Sequence, residues 1–220
     1  MIRLMSQPVF KPRFRSFSCS PSIEISHLSD ANTGITSIVI NPRYITNDIL
    51  ESLCSHTTHL QQDLNTKCIL LSNSNAITTE QYPLTDIKTT SCYFKELSRR
   101  TIPIVTCFKD RISELMLEVA LIGDVRILHE SVWVEPMIDL CMSEDINNKL
   151  VSMHRRDPRT DRRTRAYQHF KNKLYLGAKN AVLFGLGDLC IPMDQDCYHT
   201  GLEICRGIVE GIIKSHYYCN

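Results

Sequence analysis

The chain of 220 residues is 43% hydrophobic and 22% charged, as expected for a globular protein long enough to form a hydrophobic core. Its formal net charge is +1, so overall charge gives no reason to expect a nucleic acid or an anionic membrane as partner. No apolar run approaches the length of about 18 residues that a transmembrane helix needs, and we expect no membrane span.

Residues 1–17 have the composition of a mitochondrial presequence. The first twenty residues include four serines and four basic residues, which are Arg3, Lys11, Arg13 and Arg15. The first acidic residue is Glu24, and the segment lacks the uninterrupted apolar core of a secretory signal. Arg15-Ser16-Phe17-Ser18 resembles a matrix-processing site with cleavage after Phe17. We therefore expect a protein of the mitochondrial matrix; the alternative is a disordered basic tail.

The segments that follow predict alternating strands and helices. Residues 23–25 alternate apolar and polar side chains, and a turn at residues 29–34 leads into a second strand at residues 35–40, which predicts a hairpin. Apolar residues at helical spacing predict a helix at residues 46–64. The apolar run at residues 67–71 is typical of a strand buried in a parallel sheet.

The alternation continues through the middle of the chain. Residues 72–91 form a polar loop by composition, and residues 93–100 are expected to be helical. A strand at residues 104–108, a helix capped by Ser113 and a strand at residues 125–127 follow. This order of elements predicts an α/β fold with parallel strands.

The helix after Ser113 is almost entirely apolar, which predicts that it is buried. It nevertheless carries Glu114 and Glu118, four residues apart and so on one side. A carboxylate on a buried helix is unfavourable unless it is paired or takes part in chemistry. Glu118 therefore has two interpretations, a salt bridge with Arg126 or Lys109, or a functional carboxylate.

The same segment carries a family resemblance. A strand, a turn, a helix with Leu-Glu-Val-Ala-Leu at residues 117–121 and then Gly-Asp-Val-Arg-Ile at residues 123–127 resemble the signature of the crotonase superfamily, the enoyl-CoA hydratase/isomerase family. Weaker similarities occur at residues 34–42, 67–72 and 177–188. The chain is thus identified as a divergent member of this superfamily.

The resemblance covers residues 22–192 and implies a fold class. Crotonases share with Clp proteases an α/β spiral of ββα units. We expect such a core at residues 18–200, followed by an amphipathic helix at residues 201–220 in a C-terminal helical region shorter than that of the family. The resemblance also implies a homo-oligomer or a subunit of a mitochondrial assembly.

Crotonase chemistry, which the resemblance implies, forms the enolate of a coenzyme A thioester. Two backbone N–H groups hold the thioester oxygen while negative charge develops there. By resemblance, Glu118 falls on the first catalytic glutamate, and the backbone donors fall near Leu115 and Glu80. The glycines of the family are replaced at residues 114–116, and no glycine occurs at residues 35–122.

The second catalytic glutamate of the family falls on Ile138, with Glu135 and Asp139 close in sequence. Because hydration needs two carboxylates that share a water, we expect acyl-CoA binding with catalysis weakened or lost. Two alternatives remain open. One is a non-catalytic structural or interaction subunit of a mitochondrial complex, and the other is an acyl-CoA hydrolase or decarboxylase that uses Glu118.

Residues 154–173 are strongly basic, with eight Lys or Arg residues against two Asp residues. Arg155 and Arg156 are candidates for contact with the phosphates of coenzyme A. Residues 155–173 together are a candidate surface for RNA. The alternative is a solvated basic loop and helix with the two aspartates as internal partners.

Ten cysteines include no Cys-x-x-Cys pair and no spacing typical of zinc ligands. Cys68 and Cys107 lie in apolar runs, where a free thiol behaves as a small hydrophobe. We expect reduced thiols, which favour a reducing compartment. We expect no metal site and no cofactor, with a coenzyme A thioester as the substrate candidate.

Overall fold

The computed structural model describes residues 23–27, 33–40, 47–73, 101–112, 114–135 and 175–213. For residues 23–27, 47, 48, 50, 114, 115, 117 and 118 it describes the backbone alone. The strands are β1 (Ile23–His27), β2 (Ile35–Ile40), β3 (Cys68–Asn73), β4 (Ile104–Phe108), β5 (Arg111–Ile112), β6 (Val125–His129), β7 (Trp133–Val134), β8 (Leu176–Gly177) and β9 (Leu189–Ile191). The helices are α1 (Asn47–Gln62), α2 (Glu114–Leu121), α3 (Ala178–Leu183) and α4 (Cys197–Val209).

Six of the described strands form one sheet in the order β1-β2-β3-β4-β6-β9. β1 runs antiparallel to β2, and the other pairings in this sheet are parallel. The predicted hairpin, the helix α1 and the α/β fold with parallel strands are therefore confirmed. The carboxyl ends of β2, β3, β4, β6 and β9 meet at one edge of the sheet, where α/β proteins bind their ligands.

The side chains of the sheet alternate between two hydrophobic clusters, one on each face. On the first face, Ile69 and Leu71 pack with residues of α1, α2 and α3. On the second face, Cys68 and Leu70 pack with residues of α4. Because both faces are covered, the central strands can be apolar along their whole length, which is the pattern that the sequence shows.

A second, smaller sheet holds β5, β7 and β8 in that order. Arg111 pairs with Trp133 in parallel register, and Trp133 pairs with Gly177 in antiparallel register. One face of this sheet is buried, and it carries the apolar side chains of Ile112, Val134 and Leu176. The sequence does not predict these strands because two residues are too few to show a period.

The C-terminal helix was expected at residues 201–220, but α4 begins earlier, at Cys197. The carboxylate of Asp196 caps its N-terminus, accepting hydrogen bonds from the backbone N–H groups of Tyr198 at 2.8 Å and His199 at 3.2 Å. After Val209 the chain turns, and Gly211 adopts a φ of 75°. The expectation that the helix continues through residues 210–213 is therefore wrong.

Several predicted features lie outside the described residues, and they are the presequence at residues 1–17, the loop beyond residue 73, the helix at residues 93–100 and the basic residues 154–173. None of the helices in the described ranges is long and apolar enough to cross a membrane.

Candidate functional site

The N-terminus of α2 lies beyond the carboxyl end of β4, connected to it by β5. The first four N–H groups of an α-helix have no acceptor within the helix, and the helix dipole makes this end favourable for negative charge. Leu115 is the second residue of α2, so its N–H belongs to this group. Glu118 follows by three residues and lies on the same side of the helix. Both positions therefore lie within the first two turns of α2.

Met116 stands at a position where the resemblance implies a glycine. Its side chain is fully buried in the hydrophobic cluster of α1, α2 and α3. Met116 therefore contributes to the core.

The turn between β4 and β5 contains Asp110, which has a φ of 62° and is the one non-glycine residue with positive φ in the described ranges. Aspartate tolerates this left-handed conformation better than most residues do. The backbone N–H of Asp110 donates to the Ser131 hydroxyl oxygen at 2.9 Å, and this hydroxyl lies 3.1 Å from the Asp110 carboxylate. The turn thus keeps a glycine-like backbone without a glycine.

Ser131 also contacts His129 at the carboxyl end of β6. The distance between the Ser131 hydroxyl oxygen and His129 Nδ1 is 2.7 Å, and the Ser131 backbone N–H donates to the same nitrogen at 3.2 Å. Asp110, Ser131 and His129 therefore form a hydrogen-bonded chain that joins the ends of β4 and β6.

Asn73 makes the corresponding connection between β3 and β4. Its side-chain amide donates to the Lys109 carbonyl at 2.9 Å and accepts from the Lys109 N–H at 2.9 Å. The carboxyl ends of three neighbouring strands are thus connected by polar side chains. Sequence reasoning missed these residues, although Asn73, Asp110 and His129 each stand at or just after the end of an apolar run, and this signal could have found them.

The other end of α2 is fixed to the sheet by the segment after it. The Thr106 hydroxyl donates to the Ala120 carbonyl at 3.0 Å, and the Ile104 N–H donates to the Asp124 carboxylate at 2.8 Å. A Cβ atom added at Gly123 would lie 2.5 Å from the Thr106 hydroxyl oxygen. Close packing against Thr106 explains the glycine of the Gly-Asp-Val-Arg-Ile sequence. The hydrogen bond from the Ile104 N–H explains its aspartate.

Arg126 of the same sequence is bound by Asp188. Its Nε and a terminal nitrogen donate to the two carboxylate oxygens at 2.9 and 2.7 Å, and its other terminal nitrogen donates to the Gly185 carbonyl at 2.9 Å. Residues 123–127 and 177–188, which carried the resemblance separately, are therefore in direct contact. A pairing of Arg126 or Lys109 with Glu118 stays a prediction.

Glu135 was one candidate to replace the missing second glutamate. Its carboxylate lies 2.5 Å from Arg111 Nε in the small sheet. The same guanidinium donates to the Tyr175 hydroxyl at 3.0 Å. Glu135 is thus held in an ion pair, and this occupies the carboxylate that a shared catalytic water would need.

The remaining predicted site residues lie outside the described residues, and these are Glu80, Ile138, Asp139, Arg155 and Arg156. Within the described ranges, no group of three or more His, Cys, Asp or Glu side chains could hold a metal ion.

Solved structures of similar shape exist although sequence comparisons find nothing. No protein-family model matches the sequence, and no curated protein matches it. A protein from Acinetobacter baumannii described as an enoyl-CoA hydratase/isomerase superposes with a TM-score of 0.69 at 14% identity, covering 88% of this chain and 81% of that one.

Two further structures give the same result. An enoyl-CoA hydratase/isomerase from Cupriavidus metallidurans CH34 has a TM-score of 0.68 at 12% identity, covering 88% of this chain and 76% of that one. A monofunctional enoyl-CoA isomerase from M. smegmatis has a TM-score of 0.64 at 16% identity, covering 88% and 90%. These structures belong to the crotonase superfamily, and the chain has the crotonase fold.

Proposed function

We propose that this crotonase-fold chain is a mitochondrial protein of the enoyl-CoA hydratase/isomerase type that binds an acyl-CoA, with hydratase activity weakened or lost. The ligand is a coenzyme A thioester whose oxygen lies at the N-terminus of α2. The Leu115 N–H is one donor, and a second comes from the chain near Glu80. Arg155 and Arg156 contact the phosphates of coenzyme A.

The observation that carries this proposal is the position of α2. Its N-terminus follows the carboxyl end of β4 through a turn that keeps a left-handed residue at Asp110. The first backbone N–H groups of a helix have no acceptor within the helix, and these donors and the helix dipole both favour an oxyanion at this place. Glu118 is the fifth residue of the same helix, at the start of its second turn.

The weak hydratase activity follows from the lack of a second catalytic carboxylate. Addition of water to an enoyl thioester needs one group to take a proton and another to give one. Glu118 can fill one role, but the second position is Ile138, and the neighbouring Glu135 is paired with Arg111. Chemistry that needs one carboxylate, such as thioester hydrolysis or decarboxylation, is therefore the second form in which Glu118 could act.

Calorimetric titration of the full chain with coenzyme A and with a short enoyl-CoA tests the proposal. We expect binding in the micromolar to millimolar range and hydration far below that of an active hydratase. Glu118→Gln should abolish residual turnover and leave binding intact, and Glu114→Gln, the same change on the same helix, should alter neither. Absence of binding at millimolar ligand would contradict the proposal, and release of free coenzyme A thiol would identify a hydrolase.

A second candidate function is that of an interaction subunit of a mitochondrial assembly, with RNA as the partner of residues 155–173. The observation that favours it is the exposed face of the small sheet, where Trp133 is 55% exposed and Tyr175 48% exposed. The Arg111 guanidinium lies 5.4 Å from the centroid of the Tyr175 ring. Exposed aromatic rings stack on unpaired bases, and the basic residues immediately precede Tyr175 in the sequence.

Fluorescence anisotropy with a labelled single-stranded RNA separates this candidate from the first. If RNA is the partner, Trp133→Ala should weaken binding about tenfold, since stacking contributes about 1–3 kcal/mol per base. Met193→Ala removes an exposed apolar side chain elsewhere and should leave binding unchanged. Equal affinities for all three proteins would argue against an aromatic platform.

A further inference from the structure

Helix α4 presents a line of small residues to the second face of the large sheet. Cys197, Gly201 and Cys205 are spaced by four residues and are all buried. A Cβ atom added at Gly201 would lie 2.7 Å from Leu70 Cδ1 and 3.2 Å from Cys107 Sγ. The helix therefore approaches β3 and β4 closely, and a cysteine stands on each side of the point of closest approach.

Each of these helical cysteines meets a cysteine of the sheet. The Cys107 thiol on β4 is close enough to that of Cys197 for Cys197 to raise its pKa, and Cys68 on β3 raises the pKa of Cys205 in the same way. The Cys197 thiol also donates to the Phe108 carbonyl, with 3.6 Å between sulfur and oxygen. All four residues are free thiols and belong to one buried cluster.

Neighbouring thiols, unlike neighbouring aliphatic side chains, can be oxidised to a disulfide bond. Two neighbouring thiols form a disulfide when their sulfur atoms approach to the S–S bond length of about 2.05 Å. The two pairs join α4 to different strands, so both can close without exchanging partners. Closure would connect parts of the chain that are far apart in sequence.

We propose that Cys68–Cys205 and Cys107–Cys197 are dithiol pairs that close to disulfides and tie α4 to the sheet under oxidising conditions. The oxidant is a small-molecule disulfide such as oxidised glutathione. One protein thiolate attacks it, forms a mixed disulfide and releases one glutathione thiol. The second cysteine of the pair then attacks the protein sulfur of the mixed disulfide and releases the second glutathione. Each pair loses two electrons and two protons, and one glutathione disulfide is reduced to two thiols.

The folded protein restrains this reaction. The hydrogen bond to Cys197 and burial raise the pKa of Cys107, with a further increase from Asp196 and an opposing effect of Lys109. The hydrogen bond to Cys68 and burial raise the pKa of Cys205 in the same way, and Cys107 adds to it. Because the thiolate is the nucleophile, Cys107 and Cys205 attack an oxidant slowly at neutral pH. All four thiols are buried, so the oxidant reaches them when α4 opens.

Peptide mapping of the full chain tests the proposal without any substitution. Reduced protein is incubated with oxidised glutathione at pH 8.5, the remaining thiols are alkylated under denaturing conditions, and unreduced peptides are identified by mass spectrometry. We expect peptides that join Cys68 to Cys205 and Cys107 to Cys197, and slower formation at pH 7. Other pairings, stable mixed disulfides with glutathione, or free thiols at these four positions would each overturn the proposal.

Thermal unfolding then measures the effect on the fold. The oxidised chain should melt about 5 °C or more above the reduced chain. Cys205→Ala and Cys197→Ala should each remove about half of this shift, whereas Cys54→Ala, a buried cysteine on α1, should leave it unchanged. An oxidised chain that melts at or below the temperature of the reduced chain would contradict a stabilising tie.

Discussion

Arg126 is a buried cation, and the structure around it is arranged to compensate its charge. Its side chain is 5% exposed, and its partner Asp188 is 41% exposed. The Arg126 N–H also donates to the Asp188 carboxylate at 2.9 Å, so one aspartate satisfies the backbone and the side chain of the same residue. Removing one partner of such a pair leaves a charge that the protein interior solvates poorly.

Asp188→Asn should therefore lower the free energy of unfolding by about 2 kcal/mol, less than for a fully buried pair because water reaches Asp188. Urea unfolding measures this change. Glu203→Gln is the matched control, since Glu203 forms an exposed ion pair with Arg206 and its loss should cost about 0.5 kcal/mol or less. Equal losses in the free energy of unfolding for the two variants would mean that Asp188 does not stabilise the buried charge of Arg126.

Gly123 is a second residue whose identity has a local cause. Gly123→Ala would place Cβ 2.5 Å from the Thr106 hydroxyl oxygen and 2.9 Å from Thr106 Cγ2, so one of the two segments must move. We expect a loss of about 1–3 kcal/mol in the free energy of unfolding. Gly177→Ala, where the nearest atom is Trp133 Cζ3 at 4.0 Å, should cost less, about 0.5 kcal/mol, because alanine is a poorer N-cap of α3 than glycine. A tolerated alanine at Gly123 would show that α2 is not held closely against β4.

The turn between β4 and β5 depends on the residue at position 110. Asp110 contributes a left-handed backbone and a carboxylate that contacts Ser131. Asp110→Ala loses the contact and keeps the strain, whereas Asp110→Gly loses the contact but relieves about 1 kcal/mol of strain. In urea unfolding we therefore expect the parent chain to be the most stable, Asp110→Gly to be less stable and Asp110→Ala to be the least stable. An alanine variant more stable than the glycine variant would contradict a left-handed residue at this position.

Helix α4 gives the fold a dependence on pH in its reduced state. The pKa values of Cys107 and Cys205 are raised in the folded chain by thiol hydrogen bonds and burial. Both thiols are neutral in either state below the pKa of an unfolded cysteine, about 8.5, so their contribution to stability is complete there. Above that pH the unfolded state loses protons first, and the contribution falls until the folded pKa is reached.

We expect the free energy of unfolding, measured in urea with reductant present, to fall between pH 7.5 and pH 9.5. The double variant Cys107→Ala, Cys205→Ala should fall less over the same interval. A decline of the same size in both proteins would show that other groups cause it.

At the scale of the whole molecule, the apolar runs predicted the central architecture. Residues 35–40, 67–71 and 104–108 are predicted as strands, with burial in a parallel sheet expected for residues 67–71. In the structure all three segments pair in parallel between two layers of helices. The Leu-Glu-Val-Ala-Leu helix and the Gly-Asp-Val-Arg-Ile strand after it also lie where the sequence indicated. Local periodicity is sufficient for elements of this kind because burial repeats along each of them.

The contacts that complete the candidate site could not be predicted in this way. Asn73 meets Lys109 only once β3 and β4 pair, and Ser131 meets Asp110 only once β4 and β6 pair. The small sheet consists of two-residue strands from three separate segments. Such pairings depend on how the sheet closes, and no local pattern of side chains encodes them.

Our proposal places the thioester oxygen of an acyl-CoA at the Leu115 N–H. The amide NMR spectrum of the isotope-labelled chain during titration with a short saturated acyl-CoA tests this contact. We expect the Leu115 amide proton to shift downfield as the ligand saturates, with Glu118 among the next most affected amides. Binding that shifts residues elsewhere and leaves the Leu115 and Met116 amides unchanged would show that the oxygen is bound at another place.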